Sequence, residues 1–210
     1  MMLIGMFDSP FVRRVAISMQ LLQLPFEHAN WSVGRDFDRI RQYNPLGRVP
    51  TLVLDDGEAL LESSAILDYL DEQAGAERAL LPQSGSQRRD ALRLMAMATG
   101  AAEKGVLQVY ERAFRPPEKW HQPWLDRCAT QVQGALNELE HACMARGVGE
   151  WLLDTRMSQA DITLACAFTF LTDATSLNPA PYPAVQALAA RCEALSVFQN
   201  TRLAFFTPGT

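Results

Sequence analysis

The chain has 210 residues, 48% hydrophobic and 20% charged, a composition that excludes a disordered or low-complexity protein and leaves room for one large domain or two small ones. Nineteen Lys and Arg against 24 Asp and Glu give a net charge of −5, which disfavours nucleic acid as the main partner but still permits a local basic site for a small anion. Apolar runs such as 164–171 fall well short of the roughly 20 residues needed to cross a bilayer, so no membrane span is expected.

The amino terminus, MMLIGMFDSP, has no basic leader and meets Asp8 soon after its apolar stretch; it does not read as a secretory signal, and a cytoplasmic location is expected. The apolar run 2–7 predicts a strand. From Pro10 to Gln23, Val12, Val15, Ala16, Met19 and Leu22 recur at helical spacing. Phe26 to Trp31 alternates as a second strand, and Arg35 to Tyr43 predicts a short surface helix ending before Asn44 and Pro45. Thr51 to Leu54 and Glu58 to Leu61 flank Asp55, Asp56 and Gly57, a three-residue loop whose glycine suits the left-handed position of a β-hairpin. Ser63 to Ala74 is amphipathic through Ile66, Leu67 and Leu70, and Gly75 ends it. The order is therefore βαβαββα.

Between 77 and 86 the composition shifts to Pro, Gly, Ser and Gln, as in a linker, and no strand-like alternation returns after Gln87. Helices are predicted from Gln87 to about Phe114, Trp120 to Arg146, Ser158 to about Thr175, Ala184 to Glu193, and Ser196 to Phe205. Domains of 1–76 and 87–210 follow. Cys128, Cys143, Cys166 and Cys192 are far apart and form no CxxC pair, while His28, His121 and His141 lack metal-ligand spacing. Structural free thiols and no metal are expected.

Three segments carry possible chemistry. Ser9, ahead of Pro10 at a helix start, either caps that helix or offers a hydroxyl beside a terminus that favours an anion, a thiolate included. In NPLGRVPTL, a trans Pro50 is the ordinary expectation, whereas a cis bond would expose the Val49 backbone for pairing with an extended peptide, with Arg48 nearby for a carboxylate. In LLESSAILDYLDE, Ser63 serves as a helix cap or, with Glu62, as a holder of a ligand's carboxylate and ammonium groups.

Taken together, SPFVRRV, NPLGRVPTL and ESSAILDYLDE resemble, in order and spacing, the glutathione site of the cytosolic glutathione transferase family. SQADITLA resembles the family's capping box, with Ser158 capping, Asp161 reaching back, and Met157 against Ile162. The resemblance implies an α/β thioredoxin-like amino-terminal domain followed by an all-α helical carboxy-terminal domain. It also implies glutathione as co-substrate, a small hydrophobic electrophile as acceptor, and a homodimer pairing the first domain of one subunit with the second of its mate. Residue by residue, it places Ser9 where serine-type classes such as tau keep the activating hydroxyl. Val49 would pair with the cysteinyl backbone through a cis Pro50, Glu62 and Ser63 would hold the γ-glutamyl end, and Arg48 would lie near the glycyl carboxylate. The absence of Cys from the first domain disfavours cysteine-type chemistry, and the DSPF run lowers the rank of maleylacetoacetate isomerisation. Phe11, Tyr110, Phe114 and Trp120 are candidates for the acceptor pocket, built from the loop at the first helix, the helix from Gln87 and the chain's end. Arg13 could face ligand, partner subunit or solvent, or be structural. The rival expectation is a non-catalytic glutathione- or protein-binding stress-response adaptor of the same fold.

Overall fold

The computed structural model describes residues 1–147 and 149–207. Its first part runs β1 (Met2–Ile4), α1 (Pro10–Leu21), β2 (Glu27–Ala29), α2 (Phe37–Ile40), β3 (Thr51–Val53), β4 (Ala59–Leu61) and α3 (Ser63–Ala74). The four strands form one sheet in the order β2-β1-β3-β4, with β1 and β2 parallel and the other pairs antiparallel. Pro10 occupies the first helical position of α1, where its missing N–H costs nothing. Gly57 takes a φ of 92° in the β3–β4 hairpin, the left-handed geometry the three-residue loop requires.

Several elements are shorter than their patterns predict. Strand β2 pairs on one side only and keeps three residues instead of six. Helix α2 is a single turn: the Asp36 carboxylate is occupied by the Ser32 N–H, so the helix opens only at Phe37, and the N–H groups of Tyr43 and Asn44 both return to the Ile40 carbonyl.

The second part is helical: α4 (Gly85–Ala113), α5 (Gln122–Arg146), α6 (Gln159–Ala174), α7 (Pro183–Glu193) and α8 (Ser196–Gln199). The connecting segment is firmly held. The Asp71 carboxylate accepts the N–H groups of Leu80 and Leu81, and the Leu80 carbonyl accepts the Gln159 N–H, so α4 begins at Gly85 instead of Gln87. Before α5, Pro117–Lys119 forms a 3-10 turn, and the helix starts two residues after Trp120. Helix α8 ends six residues before Phe205. Arg202 pairs with Asp173 at 2.7 Å, and the chain then crosses to the first domain, where the Phe206 N–H donates to Asp8.

Two apolar clusters support this arrangement. One joins Leu3 and Leu52 of the sheet to α1 and α3; the other fills the space among α4, α5, α6 and α7. Helix α1 serves both. Val12, Val15, Ala16 and Met19 face the sheet, as their spacing predicts, while Ile17 joins the second cluster. Arg13, Arg14 and Ser18 on that other side are also buried. A helix buried on two faces must satisfy its polar side chains against a neighbour, and α6 with the chain end supplies the partners.

Helix α6 is fixed by the expected capping box between Ser158 and Asp161. The buried Asp161 carboxylate accepts the Ser158 N–H and hydroxyl, and also the N–H of Leu152 at 2.9 Å. Asp161→Asn exchanges an acceptor for an amide donor among these three donors and should cost about 1–3 kcal/mol. A fall in the denaturant midpoint checks it, and an unchanged midpoint would show that the Leu152 loop relaxes around the amide. The four cysteines are buried and free. Burial pushes Cys143 and Cys166 up to about 12, which suits structural thiols. Among the described residues, no helix is long and apolar enough to cross a membrane.

Candidate functional site

The register of the sheet gathers three distant segments at one edge. Thr51 opposes both Ile4 and Leu61. Continuing the β3–β4 register two residues sets Val49 level with Ser63, and continuing the β1–β3 register brings the loop after β1 beside Val49. The approach is close. A Cβ on Gly5, whose φ is 132°, would come within 2.8 Å of the Val49 Cβ. Glycine is therefore what lets the β1 loop and Val49 meet.

Ser9 is the N-cap of α1, its Oγ accepting the Val12 N–H at 3.4 Å. Its hydroxyl can still donate to a neighbour while accepting that bond. Val49–Pro50 is the cis peptide that the resemblance implies and that the ordinary expectation for an X-Pro bond does not. Among the described residues, neither the N–H nor the C=O of Val49 has a hydrogen-bond partner. The segment is shaped by Asn44, whose amide donates to the Arg48 carbonyl and the Thr51 hydroxyl. The Arg48 side chain is exposed.

At α3 the sequence expectation needs correction. Ser63 is not the cap: Glu62 holds the N-cap position at a φ of 70°, without a side-chain capping bond, and Ser63 is the first helical residue. Left-handed backbone at a non-glycine residue is strained, and such strain persists only where surroundings over-determine it. Here the buried Ser63 hydroxyl is fixed from two sides, accepting from Arg14 Nη2 at 2.6 Å and donating to Glu62 Oε1 at 3.1 Å. The first-turn N–H groups of α3 thus have no capping side chain.

A cleft of about 640 Å³ lies between this edge and α4. Ser9, Arg48 and Val49 line it together with Phe11, Tyr110 and Phe114, so six of the sequence candidates converge. Pro50, Glu62 and Ser63 lie outside its lining. Trp120 also lies outside, because the turn before α5 ties its indole N–H to the Arg115 carbonyl. Tyr110 and Phe114 meet edge to face at 5.1 Å, four residues apart on α4 and its cap.

Sequence reasoning missed Asp8, Trp31, Phe37 and Lys104 in the wall. Only the adjacency of Asp8 to Ser9 could have signalled any of them. Burial raises the Asp8 carboxyl, against hydrogen bonds from the Phe206 and Ser9 N–H groups. Burial likewise raises the Tyr110 hydroxyl, with Arg48 opposing and Asp8 adding to the shift. Charged groups of both signs therefore act on the aromatic wall.

Arg13 does not face ligand, partner or solvent. It is buried, forms a two-pronged pair with Glu193 at 2.6 Å, and donates to the Phe198 carbonyl. Its role is structural. Among the described residues, no group of three or more His, Cys, Asp or Glu is placed to hold a metal ion.

Known proteins match both halves of the chain. Residues 3–78 match the glutathione S-transferase N-terminal domain, and residues 122–191 match the glutathione S-transferase C-terminal domain. An Escherichia coli protein described as uncharacterized GST-like protein YibF is 31% identical over 171 residues, covering 81% of this chain and 82% of that protein. A probable maleylacetoacetate isomerase of Vibrio cholerae is 28% identical over 212 residues, 94% of this chain and 93% of its own length. A glutathione S-transferase of Methylobacterium radiotolerans, solved in complex with glutathione sulfonate, superposes with a TM-score of 0.90 at 27% identity, covering 98% of this chain and 96% of that one.

Proposed function

The chain belongs to the glutathione S-transferase family, and from that membership we propose that it joins the sulfur of glutathione to small hydrophobic electrophiles, with Ser9 and the amino end of α1 activating the thiol. One observation carries this reading: Ser9, at a helix amino terminus, opens into the same cleft as the unpaired Val49 backbone and an aromatic wall.

The residues fit the tripeptide along its length. The uncapped end of α3 and Ser63 suit the γ-glutamyl carboxylate, and Glu62 suits the ammonium group. The N–H and C=O of Val49 suit the cysteinyl backbone, in the manner of strand addition. Arg48 is free to meet the glycyl carboxylate. The sulfur then stands at Ser9, whose hydroxyl donates to the thiolate while the α1 terminus, worth about half a positive charge, favours the ionised form. Phe11, Tyr110 and Phe114 hold the apolar body of the acceptor and exclude water. The thiolate forms the new S–C bond with its own electron pair, and the acceptor's leaving group departs with the pair of the bond that breaks.

Titrating bound glutathione by its thiolate ultraviolet absorbance tests this. A pKa below that of the free peptide in the wild type, restored toward the free value in Ser9→Ala, supports the reading. Binding without a shift would favour the non-catalytic adaptor. Glu62→Gln should weaken glutathione binding about tenfold, the order expected for losing a charge-assisted hydrogen bond to the ammonium group. Unchanged affinity by calorimetry would put the γ-glutamyl end elsewhere.

The name of the Vibrio cholerae relative supports a second reading, isomerisation of a double bond with glutathione returned unchanged. Following total glutathione during turnover separates the two, since conjugation consumes it and isomerisation does not. We further propose a cytoplasmic homodimer, on the resemblance alone; light scattering of the purified protein reads its mass.

A further inference from the structure

The charged side chains that line the cleft are Asp8, Arg48, Glu103 and Lys104. Both positive ones are engaged once glutathione is bound. Arg48 meets the glycyl carboxylate in the reading above, and the Lys104 ammonium lies 6.0 Å from the centroid of the Trp124 ring, which is outside the lining. The charges left to the acceptor are two carboxylates. Glu103 is exposed, so solvent screens it; Asp8 is half-buried and adjoins Ser9, the residue to which the sulfur is assigned.

Asp8 has no counter-ion. Among the described residues, no lysine or arginine comes within ion-pair distance of its carboxylate. Backbone holds it: Oδ2 accepts the Phe206 N–H at 3.2 Å, and the influences that oppose its burial are backbone N–H groups, with no cation among them. A part-buried carboxylate without a cation beside it is costly, and a thiolate at Ser9 adds a second negative charge nearby.

The wall suits a cation too. Phe11, Tyr110, Phe114, Phe170 and Phe205 line the same cleft, and the faces of aromatic rings attract positive charge. Rings of this wall already carry guanidinium groups: Arg39 lies 3.9 Å from the Trp31 centroid and Arg35 lies 5.3 Å from that of Phe206, although neither arginine belongs to the lining.

We propose that the acceptor site selects electrophiles bearing a positive charge, and that Asp8 is the residue that sets this preference. The inference deepens the glutathione reading and rests on it. The cationic group lies against Asp8 and the aromatic wall while the reactive carbon faces the sulfur. One positive charge thereby answers two negative groups, whereas an anionic acceptor meets both as like charges.

The test compares two acceptors of one shape, para-(trimethylammoniomethyl)benzyl chloride and its neutral carbon isostere, para-neopentylbenzyl chloride. In each, the sulfur bonds to the benzylic carbon and chloride leaves with the electron pair of the C–Cl bond. Dividing kcat/KM by the rate constant with free glutathione removes intrinsic reactivity. Wild-type protein should favour the cation by about tenfold, the order of a partly screened contact between opposite charges. Asp8→Asn keeps an oxygen for the Phe206 N–H but loses the charge, and should bring the ratio close to one. An unchanged ratio in Asp8→Asn, whatever the loss common to both acceptors, leaves Asp8 an anchor for the chain end and overturns the proposal. Should Asp8→Asn fail to fold, Asp8→Gln is compared with Asp8→Glu, and equal ratios in the two overturn it. A wild type that turns over both acceptors equally refutes the inference while leaving the glutathione reading standing. Turnover of neither also refutes it; the glutathione reading then stands if the bound thiol still shows a lowered pKa, and falls with it if not.

Discussion

Replacing Ser9 with alanine should lower turnover by at least about tenfold, the scale of losing one preorganised donor to a charged reacting atom, while glutathione affinity changes little. The separation follows from geometry. Ser9 faces the cleft from the end of α1, whereas the groups assigned to the peptide's ends lie at α3 and before β3. Its hydroxyl acts on the ionised sulfur, so its loss should appear in kcat and in the thiol pKa more than in binding. The same substitution removes the cap bond to the Val12 N–H and should cost about 1 kcal/mol of stability. That loss is small enough for the variant to fold and be assayed. Steady-state kinetics with a chromogenic aryl halide, run beside the thiolate titration, would decide; equal turnover in the variant would remove Ser9 from the chemistry and leave it a cap.

The second large effect concerns stability. Arg13→Met should destabilise the protein by about 1.5–3 kcal/mol, because it removes the two-pronged, charge-assisted hydrogen bonds to Glu193, a carboxylate still 24% exposed and so partly solvated once left alone. Arg13 joins α1 of the first domain to Glu193 at the end of α7, and through the Phe198 carbonyl to α8. Glu193 also accepts from the Thr169 hydroxyl. The double variant Arg13→Met, Glu193→Gln should recover part of the loss, since neither charge is then left alone. Chemical denaturation of the four proteins in the cycle measures this, and additive losses would mean that the pair contributes no coupling.

A pH dependence follows from the same pair. Burial alone would raise the Glu193 carboxyl, but the hydrogen bond and charge of Arg13, helped by Thr169 and Arg202, bring it below its ordinary value. A carboxyl depressed in the folded state adds stability that is present above its unfolded pKa and lost as pH falls through the folded one. The acid limb of the stability profile should therefore flatten in Glu193→Gln.

The local elements were legible because their signals are local. Pro10 after Ser9 marks a helix start, Gly57 and Gly75 mark a hairpin and a helix end, and Ser158 with Asp161 spells a capping box. Each depends on backbone geometry within a few residues, which side-chain type alone can signal. The motif set, taken as a resemblance, also led to Val49, Glu62 and Ser63, at the edge where the sheet register later aligns them.

What escaped the sequence depends on partners far along the chain. Nothing in the helical pattern of α1 reveals that its polar face is buried: the spacing leaves Arg13 open to ligand, partner subunit, solvent or a structural role, and only the packing of α6 and α7 buries Arg13 and Arg14. Ser63 read as a cap or, with Glu62, as a holder of a ligand; the positive φ at Glu62 makes Glu62 the cap position and Ser63 the first helical residue, where its hydroxyl meets Arg14 from another element. The carboxy-terminal helix stops early because Asp173 and Asp8, 29 and 198 residues away from their partners Arg202 and Phe206, draw the chain across the cleft. By itself the sequence determined the order of the elements, the caps at Ser9 and Ser158 and the segments proposed to bear the chemistry, all set by neighbours along the chain. Only the tertiary structure decided which buried arginine of α1 meets a carboxylate and which meets hydroxyls, because compensation of a buried charge depends on what packs against it in space.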